Sequence, residues 1–172
     1  MPSSVSCQRI VSRSALALDD VVREHMAAED RQDVDAILAT FTENCWYRVP
    51  GLGLELRGKD QIRGWYEDTF SAIPDFRNVD EHYWIAGDQV FFEARIEGTH
   101  LGEWQGWAPT GRHFSTGIMC RIPIAADGLM EAEIVYLDAA DLFTQLGMLP
   151  ARDSRQERFM QSVHRLRMKL RR

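Results

Sequence analysis

The sequence predicts an α+β fold in which a strongly curved antiparallel sheet wraps around N-terminal helices as a cone, with one more helix at the C-terminal end. Three observations carry this expectation. Apolar residues recur at helical spacing through most of the chain before Pro74. The period changes to two after Phe76. A last amphipathic stretch then returns to helical spacing. A bent sheet closed over a helix leaves an open mouth, and small-molecule sites favour such mouths.

Taken in order, residues 1–15 read as a flexible arm, because Arg9 and Arg13 interrupt any continuous apolar run. Leu16 to Ala28 forms a first helix with Leu18, Val21, Val22 and His25 or Met26 on one face. Asp33 to Phe41 forms a second, with Asp33 as its N-cap. Cys45 to Pro50 and the segment LELRG are short strands about a Pro-Gly-Leu-Gly turn. Lys59 to Ile73 is a helix with Ile62, Trp65, Tyr66, Thr69 and Ile73 at core spacing, stopped by Pro74.

Four longer strands follow. FRNVDEHYWIAGD and QVFFEARIEGTH meet at Gly87-Asp88, and HFSTGIMCRIPIA and LMEAEIVYLD meet at Asp127-Gly128. DAADLFTQLGML is a short helix for which Asp138 is the N-cap. No linker, repeat or low-complexity block divides residues 16–150, so they form one domain. Residues 151–172 form a basic amphipathic helix. Its stripe of Phe159, Val163, Leu166 and Leu170 is expected to dock on the body or on a partner subunit.

Composition narrows the function. With 45% hydrophobic and 27% charged residues the 172-residue chain is an ordinary globular protein. No apolar run approaches the ~20 residues of a membrane span, and the N-terminus lacks the core of a secretory signal. Cys7, Cys45 and Cys120 are odd in number and show no CxxC spacing, which suits reduced thiols in the cytoplasm and not zinc. From Arg152 onward the chain carries a net +6, leaving −12 on the remainder of a total of −6. An acidic body of that kind argues against nucleic acid as the main partner. No P-loop, GxGxxG, HExxH or GxSxG is present, so phosphate-cradle, zinc-protease and serine-hydrolase readings have no support.

The stretch GTHLGEWQGWAPTGRHF, Gly98 to Phe114, is far longer than a hairpin connection needs and carries Trp104 and Trp107. Together with the later Asp138, Gln145-Leu146-Gly147 and Leu149-Pro150, its Gly98-Thr99-His100, Gly102, Trp104, Gly106 and Pro109-Thr110-Gly111-Arg112 resemble the SnoaL-like polyketide cyclase or ester cyclase family. That family belongs to the nuclear transport factor 2-like superfamily, which also holds ketosteroid isomerase. The resemblance covers roughly Leu18 to Pro150. It implies a cone-shaped α+β barrel, often a homodimer, with an apolar cavity and no metal or cofactor. It also implies ring closure by intramolecular aldol chemistry with an aspartate as general acid and base. The long connection is similar to the family's rim loop around the cavity mouth, in which Trp104 and Trp107 form a wall. Many members carry H-W-D-x-x-D, whose first aspartate is credited with catalysis. Aligned on Asp138, this chain has Val135 in that place.

The candidate residues each carry two readings. Asp138 is a general base if the cavity desolvates it, or a helix cap. Strand alternation sets Ala132, Ile134, Tyr136 and Asp138 on one face, mostly apolar and therefore inward, so Tyr136 joins Asp138 as a donor to a substrate carbonyl or as a core residue. His100 ends a strand whose inward set is Val90, Phe92, Ala94 and Ile96, and either serves as base or donor at the rim or orients the loop. His82 and Trp84 share a face and are expected to line the cavity. Arg48 favours a carboxylate or enolate ligand, or pairs with an acidic neighbour. Trp65, Trp104 and Trp107 suit a bulky apolar or polycyclic ligand. His25 and His113 read as surface or loop residues.

The reading that follows is a cofactor-independent cyclase or isomerase acting on a bulky apolar carbonyl compound. Two alternatives stand beside it. One is a non-catalytic small-molecule-binding protein, which Val135 favours. The other is a hydrolase or hydroxylating relative, since fold alone does not fix the reaction.

Overall fold

The computed structural model describes residues 13–170. Along the chain run α1 (Arg13–Asp30), α2 (Val34–Ala39), β1 (Phe41–Val49), a 3-10 turn (Pro50–Leu52), β2 (Leu54–Arg57), α3 (Gly58–Ala72), β3 (Arg77–Ala86), β4 (Gln89–Thr99), β5 (His113–Pro123), β6 (Met130–Leu137), α4 (Ala139–Gln145) and α5 (Arg155–Leu170). The helix expected from Leu16 already runs at Arg13, while residues 1–12, Cys7 among them, lie outside the described residues. Asp33 caps α2 by accepting from the Ala36 amide at 3.1 Å. That helix stops at Ala39 and Phe41 opens β1, because Phe41 pairs across the sheet with Met130. Tertiary pairing here overrides a helical pattern that continues to Phe41 in the sequence.

All six strands form one sheet in the order β2-β1-β6-β5-β4-β3. Every neighbouring pair is antiparallel except β1 and β6, which run parallel, so the sheet is mixed. Most of the domain separates these two strands, and no hairpin constrains their direction. Helix α3 packs on β1 and α1 on β3 and β4, closing one face of the sheet. Val22 and Met26 of α1 and Ile62 and Phe70 of α3 meet Phe92, Phe114 and Cys120 of the sheet in one continuous core. This is an α+β fold with helices at both ends.

Two local features decide which side chains face that core. In β3 the pairing with β4 slips between Val79 and His82, where Asp80 takes a left-handed φ of 57°. A one-residue slip moves everything beyond it to the opposite face. Asn78 before the bulge is buried, whereas Tyr83 beyond it packs on Phe92 with ring centroids 5.0 Å apart. His82 and Trp84 are thereby turned outward, stacked on each other in solvent, and do not line the cavity as expected.

In β6 the expected inner and outer faces are exchanged. Glu133, Val135 and Leu137 face the helices, while Tyr136 is half exposed and Asp138 exposed on the other side. Ala132 and Ile134 are buried on that outer face, where Ile134 lies between the long side chains of Arg48 and Arg121 on the flanking strands. Counting apolar residues therefore favoured the wrong side. Helix α5 differs from its expectation as well. Apart from Glu157 all its residues are exposed, including Phe159, Val163, Leu166 and Leu170, so the stripe is not docked on the body. Leu142 and Leu146 at and beside α4 already close that end of the core.

Candidate active site

Between α1, α3 and the inner face of the sheet lies a cavity of about 60 Å³. Its walls are aromatic and aliphatic, with Tyr47, Trp65, Phe70, Trp104 and Phe114 among them. The rings pack on one another at an angle, Trp65 on Trp104 at 5.8 Å and Tyr47 on Trp65 at 6.1 Å between centroids. Polar groups reach the cavity chiefly at one place, where Glu29, Tyr66, Asn78 and Glu133 converge.

Four elements build this floor. His25 and Glu29 stand one turn apart on the inward face of α1, Tyr66 comes from α3, Asn78 from β3 and Glu133 from β6. His25 and Glu133 are 0% and 2% exposed, so every proton can be traced. The Thr40 hydroxyl donates to the Ile37 carbonyl at 2.6 Å and must therefore accept from His25 Nδ1 at 2.8 Å. The Tyr66 hydroxyl donates to Glu29 Oε1 at 2.6 Å. His25 Nε2 lies 3.2 Å from Glu133 Oε2 and 3.5 Å from Glu29 Oε1, the position of a second N–H.

The ring is thus an imidazolium. Burial opposes that charge, but hydrogen bonds and attraction from Glu133 and then Glu29 outweigh it and raise its pKa to about 10. Burial likewise opposes the charge on Glu29, yet His25, Tyr66 and Asn78 hold its pKa below the usual value. Burial pushes the hydroxyls of Tyr47 and Tyr66 well upward, reinforced by Glu133 and Glu29, so both stay protonated. His25, Glu29 and Glu133 each bring a ligand atom within 4.8 Å of the others, a spacing compatible with a metal ion. The Tyr66 hydroxyl stands among all three, donating to Glu29 and lying 3.2 Å from His25 Nε2 and 3.3 Å from Glu133.

The residues singled out in the sequence fall in different places. Trp65 and Trp104 line the cavity, and the Trp104 indole N–H donates to Thr69 Oγ1 at 3.2 Å. Trp107 is half exposed, held to Trp104 by a two-residue turn at Gln105 and Gly106, both with positive φ. His100 is fully buried but is not part of the cavity wall. Its Nδ1 faces the Thr110 hydroxyl at 3.2 Å and the Thr110 amide at 3.3 Å, across the base of the rim loop. Burial lowers its pKa.

Asp138 caps α4 by accepting from the Asp141 amide at 3.0 Å. Neither it nor Tyr136 reaches the cavity, because β6 presents its other face there. Arg48 is on the outer face too, half exposed and paired with Glu55 at 3.3 Å. The rim loop owes its course to close backbone approach. A Cβ on Gly98 would lie 2.3 Å from the Ile73 side chain, and one on Gly102 would lie 2.8 Å from the Ala72 Cα. Asp75 then ties the loop's start, accepting from the Thr99 amide and hydroxyl at 2.6 and 2.7 Å.

His25 was expected at the surface and is instead the centre of the floor, whereas His113 is exposed at the start of β5. A signal for His25 existed. It falls on the apolar stripe of α1 with Glu29 one turn later, a polar pair where the helix must be buried. Glu133 offered no such signal, since a glutamate between apolar neighbours on a strand reads as solvent-facing.

Fold and site define a class: an α+β protein whose sheet and helices enclose an apolar cavity above a buried cluster of ionisable groups. The chain belongs to the family of SnoaL-like polyketide cyclases, whose model matches residues 19–146. Among solved structures it is similar to a candidate SnoaL-like polyketide cyclase from Jannaschia sp. CCS1, with a TM-score of 0.74, 19% identity and 83% of this chain covering 100% of that one. TsrD from Streptomyces laurentii gives a TM-score of 0.68 at 23% identity, covering 81% and 99% of the two chains. A protein from Catenulispora acidiphila DSM 44928 with a ketosteroid isomerase-like fold, in complex with trimethylamine, gives 0.66 at 21% identity, covering 78% and 97%. No curated protein matches the chain. The fold is therefore nuclear transport factor 2-like and ketosteroid isomerase-like. Among the described residues no helix is long and apolar enough to cross a membrane.

Proposed function

We propose that the protein is a cofactor-independent enzyme that shifts a double bond or closes a ring in an apolar carbonyl compound, by acid–base chemistry at the cavity floor. The observation that carries this reading is the convergence of Glu29, Tyr66 and Glu133, backed by the buried His25, on an otherwise apolar cavity. Glu133 is the base. Its carboxylate takes a proton from the carbon next to the carbonyl, and the electron pair passes to the carbonyl oxygen as an enolate. Tyr47, kept protonated by burial, is the donor to that oxygen. In isomerisation Glu133 returns the proton to a different carbon. In cyclisation the enolate carbon attacks a second carbonyl of the same molecule, and the proton goes to the alkoxide formed.

The second carboxylate, Glu29, supplies the reason Glu133 can take up a proton beside the His25 imidazolium. Two glutamates share one cation, so a proton gained by Glu133 leaves one carboxylate facing one imidazolium, a neutral cluster. A volume of about 60 Å³ holds a reacting head group of a few heavy atoms, so a polycyclic skeleton requires the walls to part. The trimethylamine complex of the Catenulispora protein supports the use of this fold for small ligands.

The test is deuterium exchange at the carbons flanking the carbonyl of cyclohexanone in D2O, followed by proton NMR. Wild type is expected to accelerate exchange, Glu133→Gln to lose at least ~10²-fold of that rate, and Asp138→Asn to keep it. Loss in Asp138→Asn with retention in Glu133→Gln contradicts the assignment. A second reading, a non-catalytic binding protein, is favoured by Val135, which lines the cavity where many relatives carry the aspartate. No exchange by wild type, with a ligand retained in native mass spectrometry, decides for it.

A further inference from the structure

The hydrogen bonds of the floor leave an imbalance. Both N–H groups of His25 are used, on Thr40 and on Glu133. The Tyr66 proton goes to Glu29. The Asn78 amide nitrogen donates to Glu29 Oε2 at 2.9 Å and approaches Asp30 at 3.4 Å. Among the described residues Asn78 Oδ1 has no partner, although Asn78 is 7% exposed and lines the cavity. Flipping the amide does not help, since its oxygen would then face two carboxylates. A buried acceptor left unpaired is costly unless a ligand supplies the donor. The electrostatics point the same way, because two glutamates face one imidazolium. Above them stand the rings of Tyr47, Trp65, Phe70 and Trp104, whose faces attract cations and whose edges accept methyl groups.

We infer that the cavity takes a ligand with an alkylated ammonium head group, its N–H on Asn78 Oδ1, its charge beside Glu29 and its methyl groups against the tryptophans. This rests on the reading of the cavity as the functional site and narrows its substrate class: a carbonyl compound whose otherwise apolar skeleton carries an amine. Seated on Asn78 and Glu29, the ammonium leaves Glu133 to the acidic C–H. Anionic head groups are excluded by the same two glutamates. A neutral head of equal shape brings no charge to balance them.

The experiment compares trimethylammonium chloride with tert-butanol, which has the same branched shape and one O–H but no charge. Both are titrated into the full-length protein at pH 7 and constant ionic strength, by calorimetry and saturation-transfer NMR. Trimethylammonium is expected to bind at least ~10-fold more tightly, the scale of a desolvated cation–π and ion contact. Asn78→Leu is expected to weaken it about 5-fold. Equal affinities, or no binding of trimethylammonium, overturn the inference. So does an Asn78→Leu variant that folds and binds it as well as wild type. Should that variant fail to fold, the ratio of the two wild-type affinities decides alone. Cyclohexanone exchange on the same preparation separates the two proposals. Exchange without ammonium binding sinks only this inference, and binding without exchange sinks only the enzyme reading.

Discussion

His25 and His100 are both sealed from solvent, at 0% exposure each, and their chemistry is opposite. At the cavity floor His25 is held charged, with its pKa raised to about 10, by two glutamates within 3.5 Å. At the base of the rim loop His100 Nδ1 meets Thr110, and burial outweighs the Gly102 backbone and pulls the pKa down. Equal burial therefore does not give equal behaviour. The charges brought beside the ring decide: α1 and β6 bring Glu29 and Glu133 to His25, whereas burial governs the His100 ring. The floor is built to hold a proton. The rim histidine positions a loop.

The comparison breaks most visibly at His25. His25→Leu leaves Glu29 and Glu133 buried without their cation, a loss of about 3–5 kcal/mol and therefore roughly 6–20 °C in melting temperature. His100→Leu removes one hydrogen-bonded neutral ring and is expected to cost about 1–2 kcal/mol. Differential scanning calorimetry of both variants measures the contrast, and equal losses refute it.

Alkaline pH is the next largest effect. The folded pKa of His25 lies above its unfolded value of 6.5, so its stabilisation is complete below that value and is lost as pH rises through about 10. Melting temperature should fall by several degrees between pH 8 and pH 10.5, and His25→Leu should flatten that fall. Glu29 acts at the other end. Its pKa is lowered, so its contribution is present above the ordinary glutamate range and disappears as pH falls through the folded value.

Smaller effects test the outer face of β6. Asp138→Ala removes the cap of α4 and is expected to cost about 1 kcal/mol, whereas Asp138→Asn caps equally well and should be neutral. A loss in the asparagine variant as large as in the alanine variant would assign Asp138 more than capping. Smallest of all is truncation after Pro150. With the stripe of α5 exposed, the body should melt within about 1 °C of the full chain. A larger drop would show that the helix docks somewhere, on a second copy or on the body.

Much of this fold was legible because local signals agreed with tertiary ones. The Gly87-Asp88 and Asp127-Gly128 hairpins, the cap at Asp33 and the core spacing of α3 all depend on short-range chemistry. The site was harder to read. Asp80 adopts positive φ without being glycine, so nothing announced the bulge that turns His82 and Trp84 outward. Glu133 shares a strand face with Glu131, a set less apolar than Ala132, Ile134 and Tyr136, so alternation in the sequence turns it outward. The cation that compensates its burial comes from α1, more than a hundred residues earlier. Pattern reading prices each residue by its own polarity. A polar cluster assembled from four distant elements is stable only as a set, and no single segment displays it.

The His25 ring at the cavity floor is a permanent cation, and the His100 ring at the rim is not. Carbon and nitrogen chemical shifts of the two imidazoles, followed by NMR from pH 5 to pH 11, test it most directly. The account predicts that His25 stays doubly protonated until it titrates near pH 10, while His100 titrates below the ordinary value of 6.5. A His25 ring that loses its proton at or below pH 6.5 would contradict it.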